Sequence, residues 1–309
     1  MKLFTSLINT IKEHFRLKLI ICFILCAILP LLILGTISYK ISYNIAKDKI
    51  LKETAISCEK NQHLLENRMT QIENLEDSIH FNLCMLCTTA EQPMSNYLDK
   101  LSAVRNNIAS IADSFNIYHV NIFLPDDSFA SKEGLTFCSL SDLKKYKVQL
   151  SDFSKQGLTP NWIFRKDINF PYMVSKGEEP SGVLSCYRYA KINSQKTCLA
   201  VHITSEELSN YLNTFSEGNP SLSYIINSEG VVLSSTDKKQ IGGSLSNEKL
   251  HAITQNLRLS HFSYDKCEII STPVHNQLFL VTETPDYYIR QSSSFLVKMI
   301  FICFMILRI

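Results

Sequence analysis

An excess of charge of either sign is what this sequence most plainly lacks. Over 309 residues the formal net charge is +2, and no dense Lys/Arg run occurs. That excludes a nucleic-acid partner, which needs a basic patch against the phosphates. Catalytic signatures are missing too. There is no Gly-x-Ser-x-Gly, His-Glu-x-x-His, P-loop or Gly-x-Gly-x-x-Gly, and "IGGSL" is a bare glycine pair in a loop. No catalytic residue and no cofactor is expected. Asn-x-Ser/Thr sequons are absent between residues 40 and 292, and three of ten cysteines (Cys22, Cys26, Cys303) lie in apolar runs. The seven others are an odd number spread over a long segment, unlike a disulfide-stapled scaffold. Both absences suit a bacterial surface protein. Finally, residues 41–88 contain neither proline nor glycine, so nothing interrupts a helix there.

What is present in excess is apolar sequence at the two ends. Residues 17–39, "LKLIICFILCAILPLLILGTISY", carry one charge, Lys18. A membrane-spanning helix takes roughly 20 apolar residues, and a cleavable signal has an apolar core of only about 7–15. The run reads as a first transmembrane helix, in which Pro30 is tolerated as a kink. Lys12, Arg16 and Lys18 precede it, which places residues 1–16 in the cytoplasm by the positive-inside rule. Residues 293–309 include a second run, "FLVKMIFICFMILRI", read as the start of a second transmembrane helix that is cut short. Residues 40–292 would then lie outside the cell, with membrane lipid as partner at both ends.

The segment between the runs begins helically. Leu65, Met69, Ile72, Ile79, Leu83 and Leu86 fall on three- and four-residue steps, with Glu76 in the missing position. This is an amphipathic helix with one apolar stripe. "EQPMSN" breaks it, and Leu101, Val104, Ile108, Ile111 and Phe115 mark a second helix, which completes a helical stalk over 41–116. Pairing of two stalks would make a homodimer; the same stripe could equally pack on the chain's own sheets.

From residue 117 the period changes to two. In "IYHVNIFLPDDSF", Tyr118, Val120, Ile122 and Leu124 alternate with His119, Asn121 and Phe123, the pattern of a half-buried strand. "SDLKKYKVQL" predicts a short helix capped by Ser141, and "SGVLSCYRYAKI" with "TCLAVHI" predicts an antiparallel pair. Thr204 and Glu207 form a capping box for the helix in "TSEELSNYLNTF". "YIINSEGVVLSST" predicts a hairpin with Gly230 at positive φ, followed by strands near 262–271 and 277–284. Thr284, Pro285 and Asp286 then read as N-cap, first helical residue and dipole partner of an exit helix. A strand with a polar turn, an irregular section, a closing strand and a capped helix thus occur twice, which means two similar modules in series.

This organisation resembles the double Cache (tandem PAS-like) extracellular sensors of bacterial receptors. The opening "LKLIICFILCAILPLLILGTISYKIS" is similar to that of YesM-type sensor histidine kinases, and "YIINSEGVVLSSTDKKQIGGSL" and "CLAVHITSEELSNYL" resemble Cache strand-turn-strand and inter-module stretches. The resemblance implies an α+β fold: a long N-terminal helix and two antiparallel-sheet modules flanked by transmembrane helices. It implies a membrane-distal module at 117–205, an inter-module helix and membrane-proximal module at 206–284, and an exit helix at 285–292. It implies the ligand-sensing input region of a two-component sensor histidine kinase, ending before the HAMP linker and kinase domain. The rivals are a membrane-anchored binding protein with no output domain and the input region of a chemoreceptor or cyclic-dinucleotide enzyme.

The resemblance also places a small-molecule ligand in the distal module. Aromatic walls with a few directed polar groups make such pockets. "NWIFRKDINFPYM" and "SCYRYAKI" supply Trp162, Arg165, Tyr172, Tyr187 and Arg188: rings as walls, an arginine as a carboxylate clamp. The bland alternative is core aromatics with solvated arginines. In "HFNLCMLC", His80, Cys84 and Cys87 share one helix face, but a zinc needs a fourth ligand, so small core residues are the preferred reading and no metal is expected.

Overall fold

The computed structural model describes residues 15–87, 94–128, 130–145, 161–166, 179–192, 195–212, 220–255, 258–275 and 278–293. They fall into two compact units, 1–53 with 285–309, and 54–284.

The 54–284 unit is built on helix α1 (Phe15–Cys87), which the absence of Pro and Gly beyond residue 40 leaves unbroken. Its stripe is buried as the spacing requires: Leu65, Met69, Ile72, Glu76, Ile79 and Leu83 are all close to fully enclosed within the single chain. Each apolar member contributes roughly 1.5–3 kcal/mol on burial. Helix α2 (Met94–Ser114) follows.

Two five-stranded sheets come next. The first contains β1 (His119–Leu124), β2 (Phe137–Ser139), β3 (Asn161–Arg165), β4 (Val183–Ile192) and β5 (Gln195–Thr204), with α3 (Asp142–Lys145) after β2. Helix α4 (Ser205–Ser209) leads to the second: β6 (Leu222–Ile226), β7 (Val232–Ser235), helix α5 (Asn247–Thr254), β8 (Ser260–Tyr264), β9 (Cys267–Val274) and β10 (Leu278–Pro285). The spatial orders are β2-β1-β5-β4-β3 and β7-β6-β10-β9-β8. Numbered within each sheet they are identical, so the twofold repeat read from the sequence is a repeat of topology. One pairing differs: β1 and β2 are parallel, β6 and β7 antiparallel.

The hairpin at 224 closes as expected. Asn227 Oδ1 accepts from the Glu229 and Val231 amides at 3.1 and 2.8 Å, and Gly230 sits at φ +80°. An added Cβ there would meet Leu250 at 3.1 Å, so the position needs glycine for both conformation and space. β4 and β5 pair in register from Val183↔Thr204 to Ile192↔Gln195.

Several expectations need correction. β1 is buried on both faces, not half-buried, because residues 120–124 are all enclosed. Ser141 does not cap α3: its hydroxyl meets Ser139 Oγ at 3.0 Å. Helix α4 is only five residues; Thr204 caps it by accepting from the Glu207 amide at 3.1 Å. The Glu207 carboxylate does not close the capping box but accepts from Arg68 Nη2 (3.3 Å) and Asn116 Nδ2 (3.0 Å). The strand near 262–271 is two strands, reversed at Asp265 and Lys266, both at positive φ. β10 continues through Pro285, so the exit helix starts at Asp286 and spans 286–293 in the described residues. Thr284 bonds Ser221 Oγ at 2.9 Å instead of capping that helix.

In the other unit, Asp286 accepts from Tyr43 Oη at 2.6 Å and from Arg290 Nε at 2.8 Å. The Tyr43 hydrogen bond, then Arg290, hold its carboxyl below the usual range. Among the described residues no helix is long and apolar enough to cross a membrane; part of 17–39 and the whole "FLVKMIFICFMILRI" run lie outside the described side chains.

Candidate functional site

Side chains of a strand alternate between faces, and register sorts those of the first sheet. Directly opposed residues share a face, so Trp162, Cys186 and Val201 form one row, and Asn161, Tyr187 and Ala200 the next, on the other side. The first row meets α1: the Trp162 indole donates to Glu73 Oε1 at 3.1 Å. Arg188 is on the same face, 2.5 Å from Asp77 Oδ1. These two expected site residues therefore clasp the helix.

Arg165 and Tyr187 belong to the opposite, outer face. There Phe123, Cys138, Leu143, Tyr187, Cys198 and Ala200 form an apolar cluster with Ile163 and Tyr189 against it. Tyr172 lies outside the described residues. The five candidates are thus not one cluster: one pair faces in, one pair faces out.

The outer face carries a buried polar chain beside that cluster. Asn121, Ser185 and His202 are 4%, 0% and 1% exposed. Asn121 Nδ2 donates to the Leu135 carbonyl at 2.8 Å, which leaves its Oδ1 to accept from His202 Nε2–H at 2.9 Å. His202 Nδ1 then accepts from the Ser185 hydroxyl at 2.7 Å. This order fixes one neutral tautomer. Burial first, then the neighbouring His119 and Arg165, drive the His202 pKa well below its ordinary value. The His119 ring stacks at 6.4 Å and the Tyr187 ring meets it edge-on at 6.1 Å. Burial pushes the Tyr187 phenol up to about 12 while the Arg165 charge pulls it down.

Beside this self-satisfied chain the face carries one guanidinium and aromatic surface, which suits a small polar ligand with a carboxylate. Ser185 is fully enclosed, so the Ser185–His202 contact holds structure and presents no nucleophile. Sequence reasoning missed Asn121, Ser185 and His202; the signal was polar residues inside apolar strands, "HVNIF" and "LAVHI". His80 Nε2 is 3.8 Å from Cys84 Sγ, the Cys87 side chain lies outside the described set, and among the described residues no three His, Cys, Asp or Glu converge on a metal site.

No protein-family model matches the chain, and no curated protein is detectably similar in sequence. Solved structures do match in shape. The extracellular domain of rpHK1S-Z16, described as a histidine kinase, superposes with a TM-score of 0.56 at 15% identity, covering 78% of this chain and 96% of that one. The periplasmic sensory domain of the Campylobacter jejuni chemoreceptor Tlp1 gives 0.57 at 13% identity, covering 78% and 98%. The ligand-binding domain of Mlp24, solved with asparagine, gives 0.53 at 10% identity, covering 83% and 99%. At these identities the likeness establishes a shared fold.

Proposed function

We propose that the chain is the extracellular ligand-sensing input region of a transmembrane receptor, built as two Cache modules and belonging to a YesM-like sensor histidine kinase. The observation that carries this reading is the polar chain Asn121–His202–Ser185 beside Arg165 and Tyr187, on the outer face of a sheet in a sensory-domain fold. Kinase output rests on the opening "LKLIICFILCAILPLLILGTISYKIS", since chemoreceptors share the fold. The ligand is a small polar molecule bearing a carboxylate, held by Arg165 with Tyr187 beside it. Neighbours in shape include domains solved with asparagine and with isoleucine.

In this reading, residues 17–39 and the run from 293 cross the membrane, with the N-terminus cytoplasmic and 40–292 outside. The distal module is 117–205 and the proximal module 206–284. Because the Leu65–Leu83 stripe is enclosed in its own chain, homodimer contact falls to the exposed Ile37, Ile41 and Ile45 at i, i+4 spacing. Ligand closure on the first sheet would reach α1 through Trp162 and Arg188. A ligand shifts such an equilibrium only by its differential affinity, about 5.5 kcal/mol to move 1:99 to 99:1.

The location is tested by a membrane-impermeant maleimide on intact cells carrying Glu229→Cys, an exposed position in the 227–230 turn. Labelling above the unsubstituted protein without lysis is expected; labelling only after lysis would contradict an extracellular sensor.

A further inference from the structure

On the helix-facing side of the first sheet lies a cavity of 210 Å³, whose lining includes Glu76, Asp77, His80, Leu83, Ile122 and Arg188. Glu76 is 0% exposed, and neither of its carboxyl oxygens has a well-formed hydrogen bond among the described residues. His80 Nδ1 is buried and unbonded in the same sense. Two carboxyl oxygens and one imidazole nitrogen thus border one cavity, where among the described residues only the weak Cys186 thiol reaches Glu76, a costly arrangement in low dielectric.

Titratable groups from three described elements surround Glu76. From α1 come Glu73, Asp77 and His80; from β4 come Cys186, Arg188 and Tyr189; from β5 comes Cys198. Arg188 is taken up by Asp77 at 2.5 Å. Glu73 Oε1 accepts from Trp162 Nε1 and from His275 Nε2 at 2.7 Å. Of these three carboxyls, Glu76 is the one with no ion pair among the described residues. Burial pushes its pKa up to about 8, against the weak Cys186 thiol and the Arg188 charge, which favour ionisation.

We infer that this cavity binds a small primary alkylammonium ion, its ammonium on Glu76 and His80 and its alkyl stem on Leu83, Ile122 and Leu199. An ammonium brings three donors and no acceptor, which matches two carboxyl oxygens and one imidazole nitrogen. A carboxylate would instead meet Glu73, Glu76 and Asp77. Binding requires the ionised form of Glu76, so its proton leaves to solvent as the amine enters. The site is on the opposite face of the sheet from His202 and Arg165, and it stands whether or not that outer face takes a ligand.

The test is titration calorimetry of n-butylammonium chloride into the full chain in detergent micelles, in buffers of differing ionisation enthalpy. Release of close to one proton per amine is expected at pH 7, with affinity rising toward about tenfold per pH unit below pH 8. Glu76→Gln should weaken binding at least about tenfold and abolish proton release. n-Butanol and n-butyrate should each bind at least about tenfold more weakly than the amine. Equal binding of butanol, no proton release by the native chain, or loss of binding in Arg165→Ala with Glu76→Gln unaffected would each overturn the inference. Should Glu76→Gln not fold, the proton release of the native chain decides the matter.

Discussion

The two sheets share one strand order and differ in what each of their faces carries. On the side toward α1, the first sheet presents Leu184, Cys186, Leu199, Val201 and Ile122 to the apolar stripe, with Glu76 the single buried acid. The second presents Ile225, Ile270 and Leu280 there as well, but interleaves hydroxyls with them: Thr282 to Ser223 at 3.0 Å, and Thr272 to Gln62 on α1 at 2.7 Å. The outer faces differ as well. That of the second sheet is an apolar core of Tyr224, Ile226, Val232, Ile253, Ile269, Phe279 and Val281, with Leu250 and Ile253 of α5 packed into it. That of the first has its own apolar cluster around Phe123, Leu143 and Tyr187 and, beside it, the polar chain through His202. A repeated topology thus carries different side chains: the first sheet buries a polar chain on its outer face, and the second packs α5 there.

The largest effect that would sharpen or break this contrast is at the helix seats. Ile79→Ala should cost about 2–5 kcal/mol, whereas Gln62→Ala should cost about 1 kcal/mol. Denaturant unfolding read by Trp162, the chain's single tryptophan and bonded to Glu73 on α1, would measure both. Similar costs would erase the distinction between an apolar and a hydroxyl seat. Next, Ser185→Ala strands His202 Nδ1 in the interior and should cost about 1–3 kcal/mol; a neutral result would mean the polar chain holds nothing.

Acid and base should also act on the first sheet in opposite senses. Glu76 has a folded-state pKa raised from 4.5 to about 8, so its contribution is complete below pH 4.5 and is lost as pH rises toward 8. His202, depressed from 6.5, contributes stability that is present above pH 6.5 and lost on acidification through its folded value. Of these two groups only Glu76 acts between pH 6.5 and 8, where its contribution should fall by about 1.4 kcal/mol per pH unit. Glu76→Gln should flatten that limb in a pH series of unfolding curves; an unchanged slope would refute the assignment. The smallest effect lies outside the comparison. Arg290→Ala removes an exposed i, i+4 partner of Asp286 and should leave the unfolding midpoint almost unchanged, whichever sheet is perturbed.

Local features were legible in the sequence because their causes are local. Gly230 after Asn-Ser-Glu, the Thr204 cap and the Leu65–Leu83 stripe each follow from backbone sterics or helical period. The β8–β9 turn was not, because Asp265 and Lys266 take positive φ without the glycine that usually marks such a turn. Thr284 carries a cap-like side chain but stays in β10, where Ser221 satisfies it. In the site, adjacency misled: Tyr187 and Arg188 are neighbours in one strand, so the period of two must send them to opposite faces. Which face meets α1 depends on register with β5, and no local signal encodes that.

The central claim, that the outer face of the first sheet is the ligand site, is tested most directly by a thermal-shift and calorimetric survey of small carboxylates on the full chain. Native protein, Arg165→Ala, and Tyr264→Phe on the outer face of the second sheet would be compared. The account predicts a carboxylate that binds the native chain and Tyr264→Phe alike but binds Arg165→Ala at least about tenfold more weakly, the loss of a charge-assisted contact. Equal affinity in Arg165→Ala, or an equal loss in Tyr264→Phe, would contradict it.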